Sequence, residues 1–409
     1  MRLVRLPACL AAFLFTFFAR AATPSGAYSS ITMYAIPTAN SEPGGITLGP
    51  EGMLWFTETI GDKIARFSGA GPIVEYDVPT PYSQPSGIVA GPDGALWFTE
   101  WIGSKIGRIT ATGAITEFDL PTANAEPNGI TVGSDGALWF VEEQPSVSMI
   151  GRITTRGIIT EYPVLTPNSS PFWITHGPDG ALWFTEHTAG NIGRITTSGT
   201  VTEYPIPTAN SGPDLITTGP DGALWFTEND GGKIGRITTA GAFTEYPVPT
   251  PGAAPDGIVT GQDGALWFVE QSGDKVGRIT TSGLITEFPG AGSEPLVITP
   301  GPGHALWFTV HESNAIASAP ACALGLSAAF SGNTLTTDFD LGIAQPASWS
   351  IQAGGTVLLD ENTPPVVPPT VSSMNFDSFP NEGIVTVKST LSNARGQTLC
   401  SEWTSVNTE

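Results

Sequence analysis

A ten-residue sequence, GPDGALWFTE, occurs three times without change, at residues 91–100, 177–186 and 219–228. Variants of the LWF triplet within this ten-residue sequence occur seven times, 40–44 residues apart, with tryptophans at Trp55, Trp97, Trp139, Trp183, Trp225, Trp267 and Trp307. Each of these periods also contains four short runs rich in β-branched and aromatic residues, separated by turn sequences with Gly, Pro and Asp. Four strands in about 42 residues are typical of one propeller blade. The sequence therefore predicts seven blades.

The fourth-strand sequence of the repeat shows how the ring closes. One copy, ITMYAI at residues 31–36, precedes the first LWF triplet, and no copy follows the seventh. We expect residues 31–36 to form the outer strand of the seventh blade. That pairing would join the two ends of the repeat array and cover an exposed strand edge.

The two ends of the chain differ from the repeat. Residues 1–21 combine two arginines, an apolar run and a final Ala-Arg-Ala, which predicts a signal peptide and a secreted or periplasmic protein. We assign residues 28–320 to the propeller. Residues 322–405 alternate apolar and polar residues and predict a small Ig-like β-sandwich, with a disulfide between Cys322 and Cys400. The predicted fold class is all-β, a seven-bladed β-propeller followed by this disulfide-linked sandwich.

The charge of the chain limits the classes of partner that it can bind. The formal net charge is −22, so phosphate backbones and anionic membrane surfaces would be repelled. Apart from the signal peptide, no apolar run is long enough to cross a bilayer. These features predict a monomer that binds a small molecule or peptide, with no nucleic-acid partner and no membrane span.

Two charged positions of the repeat change together. Six blades carry a glutamate after WFT or WFV and an arginine in the IGRI-like strand, while the seventh has Val310 and Ser318 there. A buried charge is costly without its partner, so joint loss predicts a structural Glu–Arg pair in each blade rather than a metal-binding ring of glutamates. The predicted pairs are Glu58 and Arg66, Glu100 and Arg108, Glu142 and Arg152, Glu186 and Arg194, Glu228 and Arg236, and Glu270 and Arg278.

Three sets of variable positions are expected at one end of the central channel, which we call the mouth. The first two strands of a blade run antiparallel, so the start of one and the end of the other lie on the same face. The residues after the repeated proline are Gly44, Ser86, Asn128, Phe172, Asp214, Asp256 and Leu296. Those before it are Glu42, Gln84, Glu126, Ser170, Gly212, Ala254 and Glu294. Those following strand two are Thr59, Trp101, Glu143, His187, Asn229, Gln271 and His311.

The composition of the mouth predicts a ligand-binding face. Trp101, Phe172 and Trp173 would provide apolar walls, and His187 and His311 are the two histidines expected at this end. Asp214 and Asp256 come from adjacent blades. Two interpretations of this pair remain open: they share a cation or a proton, or they cap neighbouring backbone N–H groups.

The pattern PxGIT…G-DGALWFTE…KIGRITTxGxITEYPxPT, over about residues 30–319, resembles the virginiamycin B lyase (streptogramin lyase) family. The resemblance implies a seven-bladed propeller. It also implies magnesium-dependent opening of a cyclic depsipeptide at its ester bond, by elimination rather than hydrolysis. In such a reaction a histidine removes a proton beside a carbonyl group and the metal stabilises the enolate charge.

Several family site positions differ in this chain. The resemblance places a histidine where Asp256 stands, and a Glu-Pro-His triplet where Glu294, Pro295 and Leu296 stand. It places an acid near His311 and Glu312, and a tyrosine at Gly44. Two functions remain open. One is a ligand-binding or scaffold propeller with a degenerate lyase site. The other is a carbon–oxygen lyase whose site is rearranged around Asp256, Glu294 and His311.

Overall fold

The structure, a computed structural model, describes residues 31–144, residue 146, residues 148–320 and the strands between residues 327 and 407. The predicted signal peptide lies outside the described residues. Cys322 also lies outside them, so the disulfide with Cys400 stays a prediction. No helix among the described residues is long and apolar enough to span a bilayer.

Residues 32–320 form seven four-stranded antiparallel sheets arranged as propeller blades. Blade one contains β2 (Pro43–Leu48), β3 (Leu54–Glu58), β4 (Lys63–Phe67) and β5 (Val74–Asp77); blade two contains β6 (Pro85–Ala90), β7 (Leu96–Glu100), β8 (Lys105–Ile109) and β9 (Ile115–Asp119); blade three contains β10 (Pro127–Val132), β11 (Leu138–Glu142), β12 (Met149–Ile153) and β13 (Ile159–Pro163). Blade four contains β14 (Pro171–His176), β15 (Leu182–Glu186), β16 (Asn191–Ile195) and β17 (Val201–Pro205); blade five contains β18 (Pro213–Thr218), β19 (Leu224–Glu228), β20 (Lys233–Ile237) and β21 (Phe243–Pro247); blade six contains β22 (Pro255–Thr260), β23 (Leu266–Glu270), β24 (Lys275–Ile279) and β25 (Ile285–Pro289). Blade seven contains β26 (Pro295–Pro300), β27 (Ala305–Val310), β28 (Ala315–Pro320) and β1 (Thr32–Ala35). Two 3-10 turns, Pro50–Gly52 and Pro302–His304, connect strands of the first and seventh blades.

The predicted ring closure is confirmed. Strand β1 pairs antiparallel with β28, so the first described strand is the outer strand of the seventh blade. The first strand of each blade lies against the first strand of the next, and β26 lies against β2. The seven first strands therefore surround one central channel.

The core lies between the blades. One cluster, for example, joins Trp97 and Ile106 of the second blade to Ile130, Leu138 and Phe140 of the third. The glycine of the IGRI strand is required here, because a Cβ on Gly107 would stand 2.0 Å from the ring of Phe98. Neighbouring blades thus bury each other's apolar faces, as in other repeat proteins.

The strands beyond residue 327 form two further antiparallel sheets. One contains β29 (Ser327–Ser331), β30 (Thr334–Asp338) and β33 (Ser372–Asn375); the other contains β31 (Ala347–Ala353), β32 (Thr356–Glu361), β34 (Ile384–Ser392) and β35 (Thr398–Asn407). The described residues of this region all lie in β-strands. The disulfide-linked sandwich itself stays a prediction.

The predicted Glu–Arg pairing is wrong. In the second blade Trp97 faces Arg108 across the two strands, whereas Glu100 faces Lys105. Arg108 instead binds Asp93 of the GPDG turn, with 2.7 Å between Nε and Oδ2. The same Asp–Arg contact recurs, at 2.7 or 2.8 Å, as Asp135–Arg152, Asp179–Arg194, Asp221–Arg236 and Asp263–Arg278. The arginines Arg108, Arg194, Arg236 and Arg278 therefore do not pair with Glu100, Glu186, Glu228 and Glu270. In the first blade, which has Glu51 at the aspartate position, Arg66 faces Trp55 rather than Glu58 and donates to the carbonyl of Ala111 at 2.7 Å.

Each turn aspartate connects an indole to a guanidinium. Asp93 accepts a hydrogen bond from Trp97 Nε1 at 3.0 Å, and the guanidinium of Arg108 lies 5.8 Å from the centre of the Trp97 ring. Burial opposes ionisation, but the hydrogen bonds from Trp97 and Arg108 outweigh it and lower the pKa of Asp93. The seventh blade has Gly303 at the aspartate position and Ser318 at the arginine position. The arginine was therefore lost together with its actual partner.

Burial should decide how much each Asp–Arg pair contributes to stability. The side chains of Arg278 and Asp263 are 5% and 6% exposed, whereas those of Arg108 and Asp93 are 25% and 20% exposed. Arg278→Met leaves a buried carboxylate unpaired, and we expect it to lower the free energy of unfolding by about 3–5 kcal/mol. The matched control Arg108→Met should cost about 1 kcal/mol. Urea denaturation measures both, and equal losses would contradict this ranking.

The glutamates that follow WFT or WFV are buried beside a second carboxyl group. Glu142 is fully buried, and burial, followed by the charge of Glu161, raises its pKa to about 9. The corresponding pKa is about 8 for Glu58, Glu100, Glu186 and Glu228, and about 7 for Glu270. Blade three has Met149 where four other blades have a lysine. Glu142 therefore lacks the lysine charge that lowers the pKa of the equivalent glutamate in those blades.

Stability should fall as the pH rises through the range set by Glu142. Between its ordinary pKa of 4.5 and its folded value of about 9, the folded state holds a proton that the unfolded state has released. Each such group costs at most about 1.4 kcal/mol per pH unit in that window. Glu142→Gln should therefore unfold with a weaker pH dependence than the parent between pH 5 and pH 9. The exposed Glu51→Gln is the control, and an unchanged slope for Glu142→Gln in urea denaturation would refute the assignment.

Candidate functional site

Each first strand reaches the mouth through a β-bulge. The repeated proline faces the glutamate at the end of strand two, as in Pro255 and Glu270, and the register then shifts before the isoleucine three residues later. The same shift occurs in every blade. A bulge changes the direction of side chains in a strand, and here it falls on the variable residue after the proline. The pairing confirms that the start of strand one and the end of strand two lie at the same end.

The residue before each of these prolines adopts a left-handed backbone conformation. The φ angles are +49° at Glu42, +52° at Gln84, +51° at Glu126, +50° at Ser170, +53° at Gly212, +46° at Ala254 and +56° at Glu294. Six of these residues are not glycine, and such conformations are costly for them. This strain could not be predicted from the sequence, because the residues at these positions vary in chemistry.

Threonine side chains fix the backbone of the mouth. The hydroxyl of Thr185, in the WFTE strand of blade four, donates to the carbonyl of Asp214 in blade five at 2.6 Å. Thr57, Thr99 and Thr309 make the same bond, at 2.8 Å, to the carbonyls of Ser86, Asn128 and Gly44. The backbone positions of Gly44, Ser86, Asn128 and Asp214 are thereby set by hydrogen bonds between neighbouring blades.

His187 and Asp214 form a contact between blades four and five. His187 Nδ1 lies 2.7 Å from Asp214 Oδ1, and the two side chains are 37% and 10% exposed. The hydrogen bond to Asp214 raises the pKa of His187, although burial acts in the opposite direction. Burial raises the pKa of Asp214, despite the opposing effect of His187. The interpretation of Asp214 as a cap on backbone N–H groups therefore finds no support in this contact.

Asp256 is the most deeply buried acid of the mouth. It is 8% exposed, and burial followed by the charge of Asp214 raises its pKa well above the ordinary value. Among the described residues, no group donates a hydrogen bond to its carboxyl group. The sequence placed Asp214 and Asp256 side by side, and the structure brings them close enough to interact electrostatically.

A second chain of polar contacts continues along the mouth. Ser86 donates to Asn128 Oδ1 at 2.8 Å, and Asn128 Nδ2 donates to Glu143 Oε2 at 3.2 Å. Burial raises the pKa of Glu143, and Asn128 partly offsets this effect. The charges of His187 and Asp214 also influence Glu143. Polar groups from blades two to six therefore form one electrostatically connected arc.

The remaining candidates meet where blades seven and one adjoin. His311 lies between two carboxyl groups, with Nε2 3.4 Å from Glu42 Oε2 and Nδ1 3.3 Å from Glu294 Oε2. His311 Nδ1 is buried without a hydrogen-bond partner. An open cavity of 330 Å³ adjoins them, lined by Asn40, Glu42, Glu294, His311, Glu312 and Asn314. Glu294 and His311 are thus brought together as predicted, while Glu42 joins them from the other side of the ring closure.

The predicted apolar walls have different surroundings. The Phe172 ring lies 6.1 Å from the His187 ring, so it borders the His187–Asp214 contact. Trp173 packs against the buried clusters that contain Trp183 and Trp225. Trp101 is half-buried, and its indole N–H is buried without a partner. Phe172 therefore borders the charged arc, and it also packs against the buried cluster that contains Trp225.

The residues of the mouth do not fit a magnesium ion. Wherever side chains are described, no three His, Cys, Asp or Glu groups are placed to hold a metal. Magnesium prefers oxygen ligands in octahedral geometry, and the residues nearest to the position where the family resemblance places an acid are His311 and Glu312. No chemical step is therefore assigned to magnesium in this chain.

A closed ring of seven four-stranded blades, with a polar mouth at one end, defines a seven-bladed β-propeller. The family model "Virginiamycin B lyase family" matches residues 22–147 and 144–324. The chain therefore belongs to the virginiamycin B lyase family.

Solved structures agree with this assignment. Virginiamycin B lyase from Staphylococcus aureus is 42% identical, with a TM-score of 0.67, over 71% of this chain and 98% of that protein. A streptogramin B lyase is 40% identical, with a TM-score of 0.68, over 71% of this chain and 96% of that protein. A catalytically inactive histidine-to-alanine variant of the S. aureus enzyme, with quinupristin, is 41% identical, with a TM-score of 0.67, over 71% and 98% of the two chains. A comparison with curated proteins found no match.

The buried position of Asp256 should lower stability at neutral and alkaline pH. Because the folded-state pKa is raised, the folded state loses stability as the pH rises above the unfolded pKa. We expect Asp256→Asn to raise the free energy of unfolding at pH 8 by about 1–3 kcal/mol. The difference should shrink at pH 3, below the ordinary aspartate pKa of 3.8, where both states are mostly protonated.

Asp230→Asn provides the comparison, because Asp230 is an exposed carboxylate near the same end of the ring. It should change the stability by less than about 0.5 kcal/mol. Urea denaturation at the two pH values measures both variants. A loss of stability in Asp256→Asn at pH 8 would mean that the carboxylate is stabilised by a group in the mouth.

Proposed function

We propose that this protein is an exported, monomeric ligand-binding propeller that keeps the mouth of a virginiamycin B lyase but not its catalytic groups. One observation carries the proposal. The bulges, left-handed residues and threonine bonds that shape the mouth are present, while Asp256 and Leu296 occupy the positions where the family resemblance places histidines. The ligand is a small molecule or peptide of the depsipeptide type.

The relatives support a separation of binding from catalysis. The S. aureus variant with quinupristin is catalytically inactive after a histidine-to-alanine change. Binding requires a shaped surface, whereas proton removal requires a basic group at the reacting atom. A mouth without the family histidines therefore suits retention of a ligand without its cleavage.

A second candidate function is a carbon–oxygen lyase with a rearranged site. In an elimination a base takes the proton beside a carbonyl, the C–H electrons form a double bond, and the ester oxygen leaves with the C–O electrons. Asp256, Glu294 and His311 are the groups predicted from the sequence for this role. The His187–Asp214 contact favours this candidate further, because a histidine oriented by a carboxylate is a typical general base.

Incubation with a type B streptogramin, with and without added magnesium, distinguishes the two candidates. We expect the antibiotic to remain intact while equilibrium dialysis shows that it binds. Phe172→Ala should weaken binding at least about tenfold, because an apolar contact of this size is worth about 1.5 kcal/mol or more. Ile158→Ala, an exposed residue in a turn between outer strands, is the matched control.

The products identify the alternative outcomes. A linear isomer of unchanged mass would show elimination and establish the lyase, and loss of that product in His311→Ala or His187→Ala would identify the base. A product heavier by one water would show hydrolysis. If the antibiotic is neither bound nor converted, both candidates are refuted for this class of ligand.

A further inference from the structure

The mouth has a strongly one-sided charge. Its three sets of variable residues include six acids, Glu42, Glu126, Glu143, Asp214, Asp256 and Glu294, but no lysine or arginine. The lysines nearest to this end bind carboxylates of the outer strands, as Lys105 binds Glu117 and Lys275 binds Glu287. The repeated arginines are held at the other end of the strands by the turn aspartates. Nothing cationic except histidine therefore balances the mouth, and its field attracts positively charged ligands.

The acids of blades five and six are also shielded from water, and their carboxyl oxygens have few hydrogen-bond partners. Asp214 contacts His187 and also has a side-chain hydrogen bond with Asn229, whereas Asp256 receives no hydrogen bond from any described residue and is more than nine-tenths buried. A buried polar group without a partner is unusual in a folded protein. Because Asp256 stands on a bulge of a first strand, beside the channel, a ligand that enters the mouth can supply the missing partner.

The surroundings favour an organic cation over a metal ion. A metal requires several protein ligands at close range, and no such group of three is present where side chains are described. An alkylammonium group needs only acceptors for its N–H donors. The Phe172 ring, beside the His187–Asp214 contact, provides an apolar surface for the carbon part of such a ligand.

We propose that Asp214 and Asp256 form a binding site for the protonated amine of a ligand whose apolar part packs against Phe172. This inference rests on the proposed ligand-binding role of the mouth and names the chemical class of the ligand. The site lies on blades four to six. It is separate in sequence and in contacts from the His311, Glu42 and Glu294 group of blades seven and one.

Isothermal titration calorimetry with benzylammonium chloride at pH 7 tests the site directly. The probe combines one ammonium group with one aromatic ring, and benzyl alcohol is its neutral counterpart. We expect benzylammonium to bind in the millimolar range or more tightly. Benzyl alcohol should bind at least about tenfold more weakly, because it has no charge to satisfy the carboxyl pair.

Variants show whether the carboxyl pair is responsible. Asp256→Asn and Asp214→Asn keep the size of each side chain, and each should weaken benzylammonium binding at least about tenfold. Glu51→Gln removes one negative charge far from the mouth, in the turn before β3, and should leave binding unchanged. Thermal unfolding of each variant confirms that it is folded before titration.

Four results would overturn the assignment, and the first three concern selectivity. They are undiminished benzylammonium binding in Asp256→Asn, equal binding of benzyl alcohol, and full competition by an equimolar calcium salt, which would indicate a site for inorganic cations. Absence of any benzylammonium binding would also reject it. The test does not use a depsipeptide, so a failure here leaves depsipeptide binding open. Conversely, failure of the depsipeptide assay leaves the ammonium site open.

Discussion

The pairing of β1 with β28 is the contact on which the whole ring depends. Each blade buries its apolar face only against its neighbours, so an unclosed array would expose the faces of its first and last blades. The cluster at the closure joins Trp307 and Ile316 of the seventh blade to Leu54 and Phe56 of the first. A strand from the start of the chain thus holds the last blade in the same register as the others. The position of every mouth residue follows from that closure, because His311 meets Glu42 across it.

The parts of the fold that the sequence predicted well were those that repeat. The period of the tryptophans, the turn sequences and the extra outer strand each fix one geometric property of a blade, and seven copies fix it repeatedly. The location of the mouth followed from antiparallel pairing alone. Such inferences need no knowledge of which side chains touch, since strand order and direction decide them.

The Glu–Arg error shows where comparison of repeats stops being informative. In the seventh blade the aspartate, the glutamate and the arginine are all replaced, by Gly303, Val310 and Ser318. Joint loss therefore indicates that two of the three interact, but it does not say which two. Register resolves the question, because Trp307 faces Ser318 and the turn aspartates of other blades lie beside that tryptophan. The His187–Asp214 contact had no signal of this kind, since it occurs once and joins two blades.

The features that hold the backbone of the mouth in place are distinct from the side chains that line it. The bulge after the repeated proline occurs in every blade, and the residue before that proline is left-handed whatever its chemistry. Threonines of four blades also bond a carbonyl of the next blade. These features hold the variable residues in place independently of their side chains. The fold therefore does not depend on which side chain stands at such a position. Even an acid as deeply buried as Asp256 can stand there, although burial and the charge of Asp214 raise its pKa. The proposed loss of catalysis and the proposed preference for an ammonium group both concern these variable residues alone, because the bulges that carry them occur in every blade.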